Sequence, residues 1–277
     1  LFLKSPMREE VSVATRVVVA GAGGRMGARI ISQITSGEDM TLSGALEREG
    51  FSGLGDDAGQ AAGVGPLGVL FTSDASSLEG DVIISFAIPE ASLAHARLSA
   101  EKGMGIVIGT TGFSPTESEA LVRIGETIPC VHAPNMSVGV NAAFRLIEEA
   151  ARLLGDGYDV EVLETHHNQK IDAPSGTAVR MGEILARALG RDYPGDAVFH
   201  REGKIGKRPK KAIGMQTLRG GDVAGEHTVY FFGQGERIEI THRATTRDNF
   251  AAGATRAARW VIGQKPGVYD MSDVLGI

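Results

Sequence analysis

The chain has 277 residues, 42% of them hydrophobic and 22% charged, enough to bury a large core and to build two domains. Its formal net charge of −6 excludes a general nucleic-acid binder or a protein held on anionic lipid, so an anionic ligand must be gripped by local groups. The 38 glycines, set among apolar runs that persist along the chain, point to many tight turns and close backbone approaches. Residues 1–14 read as a ragged extension. Leu1-Phe2-Leu3 is too short for the apolar core of a secretory signal, and Lys4, Arg8, Glu9 and Glu10 follow at once.

Arg16-Val17-Val18-Val19-Ala20 is a continuous β-branched run, the pattern of a strand covered on both faces. Glycines follow, and Arg25 to Ile34 reads as a helix with Met26, Ile30 and Ile34 at four-residue spacing. Met40 to Leu46 is a second strand that ends at Glu47; Val82 to Phe86 and Gly105 to Gly109 are further buried strands with helical material between them. Strands alternating with helices over the first 130 or so residues predict an α/β fold with a right-handed, doubly wound parallel sheet. Cys130 is the single cysteine, which excludes an intramolecular disulfide, fits a reducing cytoplasm and reads as a buried structural thiol. The longest charge-free stretch, Thr127 to Phe144, is broken by Pro129, Pro134, Asn135 and Asn141 and is no membrane span.

The texture changes after about residue 138. Tyr158 to Glu164 alternates as a strand with one covered face. Ala178 to Leu189 is a helix, and Ala212 to Arg219, His227 to Phe232 and Arg237 to Arg243 are strands, the last two joined through Gly233-Gln234-Gly235-Glu236. These predict a second, α+β domain with a mixed, largely antiparallel sheet. Ala251 to Ile262 closes the chain on a helical pattern.

Two groups of residues carry chemistry. Gly21-Ala22-Gly23-Gly24-Arg25-Met26-Gly27 lies between a buried strand and a helix, where backbone N–H groups can approach a pyrophosphate at the positive helix end. Glu47 ends the next strand, where a carboxylate accepts both ribose hydroxyls of NADH, and the adjacent Arg48 suits the 2′-phosphate of NADPH; the pair permits either. Gly109-Thr110-Thr111 and Ala133-Pro134-Asn135-Met136 fall at further strand ends, where ligands bind in such sheets.

The second group is His166-His167-Asn168-Gln169-Lys170-Ile171-Asp172-Ala173-Pro174-Ser175-Gly176-Thr177. Pro174 rules out a helix through Lys170, so the segment is a loop folding His166 and Lys170 toward one pocket, both able to act as general acids. Ser175, Gly176 and Thr177 open a helix whose N-terminus can be a simple cap or a seat for a carboxylate. Without a third ligand, or an HExxH or CxxC pattern, no metal is expected. Lys204 to Lys211 is a basic run without aromatics, read as an exposed loop that helps attract an acidic substrate. Arg219, Asp222 and His227 cluster near a glycine turn, with Asp222 and His227 as candidate structural partners.

Taken together, Ala20 to Gly27, Ala45-Leu46-Glu47-Arg48, Gly109 to Phe113, Asn135 to Gly139, Glu164 to Thr177 and Gly225-Glu226-His227-Thr228 resemble the dihydrodipicolinate reductase family over nearly the whole chain. The resemblance implies a Rossmann-type dinucleotide domain of residues 1–138 and 248–277, a substrate and oligomerisation domain of residues 139–247, and a cytoplasmic homotetramer. It implies hydride transfer from NADH or NADPH to a cyclic imine bearing two carboxylates, in diaminopimelate and lysine biosynthesis. By the same resemblance His166 and Lys170 are catalytic, and His167, Ser175, Gly176 and Thr177 hold the substrate carboxylates. Gly21, Gly23, Gly24, Arg25, Met26, Gly27, Glu47, Arg48, Gly109, Thr110, Thr111, Ala133, Pro134, Asn135, Met136, Arg247 and Phe250 would hold the dinucleotide. Where the family often shows Asp-Phe-Thr followed by arginine, this chain has Ser85-Phe86-Ala87-Ile88, which leaves NADH against NADPH open. His132 and Pro134 are also less usual neighbours of Asn135. Another two-domain amino-acid dehydrogenase, or a dinucleotide-sensing regulator, would share the glycine loop without needing the histidine–lysine segment.

Overall fold

The computed structural model describes residues 14–277; residues 1–13, most of the expected extension, lie outside them. In chain order the strands are β1 (Thr15–Ala20), β2 (Met40–Leu46), β3 (Phe71–Thr72), β4 (Val82–Ser85), β5 (Gly105–Ile108), β6 (Pro129–His132), β7 (Asp159–His166), β8 (Ala197–Val198), β9 (Ile213–Arg219), β10 (Gly225–Phe232), β11 (Arg237–Ala244) and β12 (Gly267–Tyr269). The helices are α1 (Arg25–Thr35), α2 (Ala58–Ala61), α3 (Pro89–Lys102), α4 (Pro115–Gly125), α5 (Val138–Leu154), α6 (Gly176–Leu189), α7 (Asp248–Val261) and α8 (Met271–Leu275). Chain contacts divide the described residues into two compact units, residues 14–130 with 258–268 and residues 131–257 with 269–277.

The first sheet has the order β12-β6-β5-β4-β1-β2-β3, and its β3-β2-β1-β4-β5 ladders are parallel. That is the doubly wound arrangement expected from the alternating strands and helices. Val17 to Ala20, all of β4 and all of β5 are buried, because helices cover both faces and leave no side for polar residues. α1 buries Gly27, Ile30, Ile31 and Ile34, a stripe at helical spacing laid against the sheet. Cys130 is fully buried in the same core, and burial pushes its thiol up to about 12. It is the inert structural thiol expected.

The second sheet has the order β11-β10-β7-β9-β8. It is mixed: β10 pairs antiparallel with β7 and β11, whereas β7–β9 and β8–β9 are parallel. Val160, Val162, Ile213, Met215, Val229 and Phe231 form its core, against Ile147 and Ala151 of α5 and Met181 and Leu185 of α6. The loop of residues 199–212 is exposed over its lysines, but two of its arginines are fixed to β7. Arg201 binds both oxygens of Glu161 at 2.8 Å, and Arg208 bonds Glu161, Asp159 and the Val160 carbonyl. Both arginines of the loop are thus structural, leaving its lysines facing solvent.

Candidate active site

Along β7 the alternation that buries Val160 and Val162 continues, so Glu164 and His166 share their face. The register sets Thr217 and Arg219 of β9 beside Glu164 and His166, and His227 of β10 beside Glu164. A face apolar along most of its length therefore turns polar at one end, where α6 begins.

Glu164 is the hub of that polar end and is wholly buried. Its Oε2 meets His166 Nδ1 at 2.6 Å and accepts from Arg219 at 2.8 Å. Its Oε1 accepts from Arg219 at 2.7 Å, from the Ser175 N–H at 3.0 Å and from the Thr217 hydroxyl at 3.2 Å. Burial alone would raise this carboxyl; the hydrogen bonds from His166, Arg219 and Ser175 outweigh it and hold the group at about 2. Glu164 is therefore ionised and only accepts, so His166 Nδ1 carries a proton and Nε2 is the nitrogen left to work. Gly225 stands beside that Nε2, at φ +155°, and a Cβ there would lie 3.0 Å from the nitrogen. A glycine keeps the working edge of the ring clear.

The His227 ring meets that of His166 edge to face, centroids 5.1 Å apart. Burial, reinforced by the neighbouring His166, pushes His227 down to about 3, so it is uncharged at neutral pH. Its Nε2 bonds the Ser175 hydroxyl at 2.9 Å; the candidate pairing with Asp222 gives way to this one. Ser175 also caps α6 by accepting from the Ala178 N–H. Its hydroxyl and its N–H are thus both engaged inside the protein. The groups that the helix start offers outward are the Gly176 and Thr177 N–H groups, which have no intrahelical partner at a first turn, and the Thr177 hydroxyl, which accepts from Asn135 Nδ2 at 3.1 Å.

The loop after β7 is tied down through its backbone. The His167 N–H donates to Val223 at 2.9 Å, Asn168 to Gly221 at 3.2 Å, and Lys170 back to His167 at 3.2 Å. Lys170 holds Asp172 at 2.8 Å, and that ammonium keeps the Asp172 carboxyl below the usual carboxylate range. His167 is half-buried beside it. The structure thus gathers His166, Lys170, His167, Ser175, Gly176 and Thr177 around one strand end and one helix start.

The residues expected to hold a dinucleotide fall in two places. In the first unit, the turn from β1 enters α1 with Gly24 extended and no side chain capping the helix, so its leading N–H groups remain available. Gly23, Gly24 and Arg25 are exposed and Met26 is half-buried. A Cβ on Gly27 would lie 2.4 Å from the carbonyl oxygens of both Gly21 and Ala22, which only glycine permits. Glu47 accepts from the Gly23 N–H at 2.9 Å, and with Gly21, Arg48, Ile88 and His95 it lines a cleft of about 670 Å³.

Ser85, at the position where this chain departs from the family pattern, joins a buried chain of hydroxyls. It bonds His95 Nδ1 at 2.9 Å and Ser92 at 3.2 Å, and Ser92 bonds Thr110 at 2.6 Å. Burial pushes His95 down to about 4, so this chain is uncharged. Thr110 spends its hydroxyl on the Ala87 carbonyl, while Thr111 is exposed and Gly109 packs against the Phe86 ring. In the second unit, Ala133 and Met136 are buried, so what they can offer a ligand is backbone; Pro134 is exposed. Arg247 and Phe250 stand at the start of α7, which approaches Met136 so closely that a Cβ on Gly253 would lie 1.7 Å from its carbonyl oxygen.

Reasoning from sequence places the histidine–lysine loop but gives Glu164 and Thr217 no role. The signal was present: Glu164 sits two residues before His166, an apolar-face position occupied by a carboxylate. Among the described residues no group of His, Cys, Asp and Glu could hold a metal ion, and no helix is long and apolar enough to cross a membrane.

Comparison with known proteins agrees with this geometry. Residues 15–136 match the family model described as dihydrodipicolinate reductase, N-terminus, and residues 139–275 the model for its C-terminus. The 4-hydroxy-tetrahydrodipicolinate reductase of Syntrophotalea carbinolica is 57% identical over 264 residues, covering 95% of this chain and 99% of its own. That of Geobacter sulfurreducens is 56% identical over 265 residues, with the same coverage of 95% and 99%. Among solved structures, the dipicolinate-bound dihydrodipicolinate reductase from Paenisporosarcina sp. TG-14 shares the fold, with a TM-score of 0.71, 24% identity and coverage of 93% and 98%. With both family models matched in order along one chain, and relatives this similar over their full length, the chain belongs to the dihydrodipicolinate reductase family.

Proposed function

We propose that this chain reduces the cyclic imine derived from 4-hydroxy-tetrahydrodipicolinate to tetrahydrodipicolinate, as an oxidoreductase of diaminopimelate and lysine biosynthesis. The observation that carries this reading is the joining of His166 to the start of α6 through the buried Glu164 carboxylate. A proton-transfer group and an anion-binding helix end are thereby held side by side. Residues 1–138 with 248–277 serve the dinucleotide, and residues 139–247 serve the substrate and subunit assembly.

The residues present fit a pyridine dinucleotide: an uncapped helix start behind a glycine turn, a carboxylate at the end of β2, and the cleft beside it. When bound, the reduced nicotinamide supplies the hydride. The chain's own residues supply the proton and hold the anion. His166, with Nδ1 committed to Glu164, works through Nε2, and Lys170 is its partner acid. His167, the Gly176 and Thr177 N–H groups and the Thr177 hydroxyl hold the carboxylates, with Ser175 fixing the helix end that presents them. Gly21 to Gly27, Glu47, Arg48, Gly109 to Thr111, Ala133 to Met136, Arg247 and Phe250 hold NADH or NADPH.

The chain assembles as a homotetramer through its second sheet. Leu218, Tyr230 and Phe232 on the face turned away from α5 and α6 support this; Leu218 is 53% exposed, and the rings of Tyr230 and Phe232 stack 5.5 Å apart. We place it in the cytoplasm, where a reduced Cys130 is at home.

Glu47 gives the cofactor assignment a direct test. Glu47→Ala is expected to weaken NADH binding by about tenfold or more, the worth of hydrogen bonds to a charged acceptor, and NADPH binding by less, because Arg48 remains. Isothermal titration with both reduced nucleotides measures this. Equal losses for the two would contradict the role of Glu47 at the ribose.

A further inference from the structure

We infer that Glu164, paired with Arg219, is the positioning residue that sets the tautomer of His166 and its distance from the substrate-holding start of α6. The inference rests on the reading of His166 as the proton-transfer group given above.

Three features of the cluster carry it. The first is saturation. Glu164 accepts from five donor groups: the His166 ring, two guanidinium N–H groups of Arg219, the Ser175 N–H and the Thr217 hydroxyl. A carboxylate so surrounded has no donor to offer, so the proton between Glu164 and His166 belongs to Nδ1. The second is division of labour between its two oxygens. Oε2 faces the imidazole, whereas Oε1 faces Ser175 and Thr217. One rigid group thereby fixes both a ring and a helix cap. The third is the charge around it. Arg219, also bonded to the Asp172 carbonyl at 2.7 Å, compensates the buried carboxylate, and His227 beside it is uncharged. Of the two buried imidazoles here, that of His166 hydrogen-bonds a carboxylate and that of His227 a hydroxyl.

Glu164→Gln separates the two oxygens. The amide oxygen replaces Oε1, where three donors converge, and the NH2 group replaces Oε2. That NH2 donates toward His166 Nδ1, which must then accept, so the neutral ring carries its proton on Nε2, and the imidazolium that would donate from Nε2 loses the carboxylate that stabilises it. The cap at Ser175 keeps its acceptor.

The experiment uses the full-length protein labelled with 15N-histidine, with long-range 1H–15N correlation spectra at a pH where the ring is neutral. The His166 signal is assigned by its loss in His166→Gln. The unmodified protein is expected to show the Nδ1–H tautomer, and Glu164→Gln the Nε2–H tautomer. In the same variant kcat should fall by about 10²-fold or more, as when a carboxylate orienting a catalytic histidine becomes an amide, with substrate KM within about threefold. An Nε2–H tautomer in the unmodified protein overturns the inference even if the variant fails to fold. Full kcat in Glu164→Gln beside an inactive His166→Ala also overturns it. Full activity in His166→Ala itself would instead overturn the reading of His166 as the proton-transfer group.

Discussion

Replacing Lys170 with alanine is expected to lower kcat by about 10²–10⁴-fold, the range for removal of a positioned general acid, with dinucleotide affinity within about threefold of the unmodified value. The loop that bears Lys170 is held by backbone hydrogen bonds of His167 to Val223 and Asn168 to Gly221, not by the lysine side chain. Truncation therefore removes the ammonium without releasing the loop. Its ion pair with Asp172 at 2.8 Å joins a half-exposed carboxylate and contributes little to stability. The protein should accordingly melt within a few degrees of the unmodified chain. Activity within threefold of normal would remove Lys170 from the acid chemistry.

Gly27→Ala should disable the dinucleotide site. In a helix interior alanine is favoured over glycine by about 1 kcal/mol, so an exposed position would gain from the change. Gly27 is buried, and its new Cβ would sit 2.4 Å from two backbone oxygens that cannot swing aside. Either α1 or the β1 turn must shift. Such overpacking costs about 1–3 kcal/mol, and moving the leading N–H groups off the pyrophosphate loses hydrogen bonds to a charged group worth about 1.5–3 kcal/mol each, on the order of 10²-fold in affinity. Titration with NADH or NADPH should show affinity reduced to about that degree, together with a lowered melting temperature. Unchanged affinity would mean that the glycine turn does not hold the pyrophosphate.

Much of this was legible in the residues. Continuous apolar, β-branched-rich runs announced β1, β4 and β5 nearly to the residue, because strands buried on both faces leave no choice of composition, and β2 was placed at the same Met40 to Leu46 without such a run. Pro174 correctly ended any helix through Lys170. The longest helix, α5, was not anticipated. It opens on Val138-Gly139-Val140-Asn141, a poor helical start by propensity, and is set by the Ser137 cap and a buried stripe of Val140, Ala143, Ile147 and Ala151. The short strands β3, β8 and β12 carry two or three residues each, too few for any periodicity.

At the site, sequence spacing found the loop but not its hub. Glu164 reads as one more residue of an alternating strand. Its partners Thr217 and Arg219 lie more than fifty positions away, brought alongside only by the β7–β9 register. The pairing of β9 parallel to β7 likewise depends on the crossover through α6, which no local pattern specifies. Ser175 shows the converse: its place before a helix predicted a cap or an anion seat, and the structure commits its hydroxyl to the cap and to His227.

The most direct test of the account is turnover. Pyruvate, aspartate semialdehyde and a dihydrodipicolinate synthase would generate the cyclic substrate in place, and loss of reduced nicotinamide would be followed with NADH and NADPH separately. Oxidation that depends on this protein, and that falls by about 10²-fold or more in Lys170→Ala, is the predicted result. Binding of reduced dinucleotide without any oxidation when the substrate is supplied would contradict it.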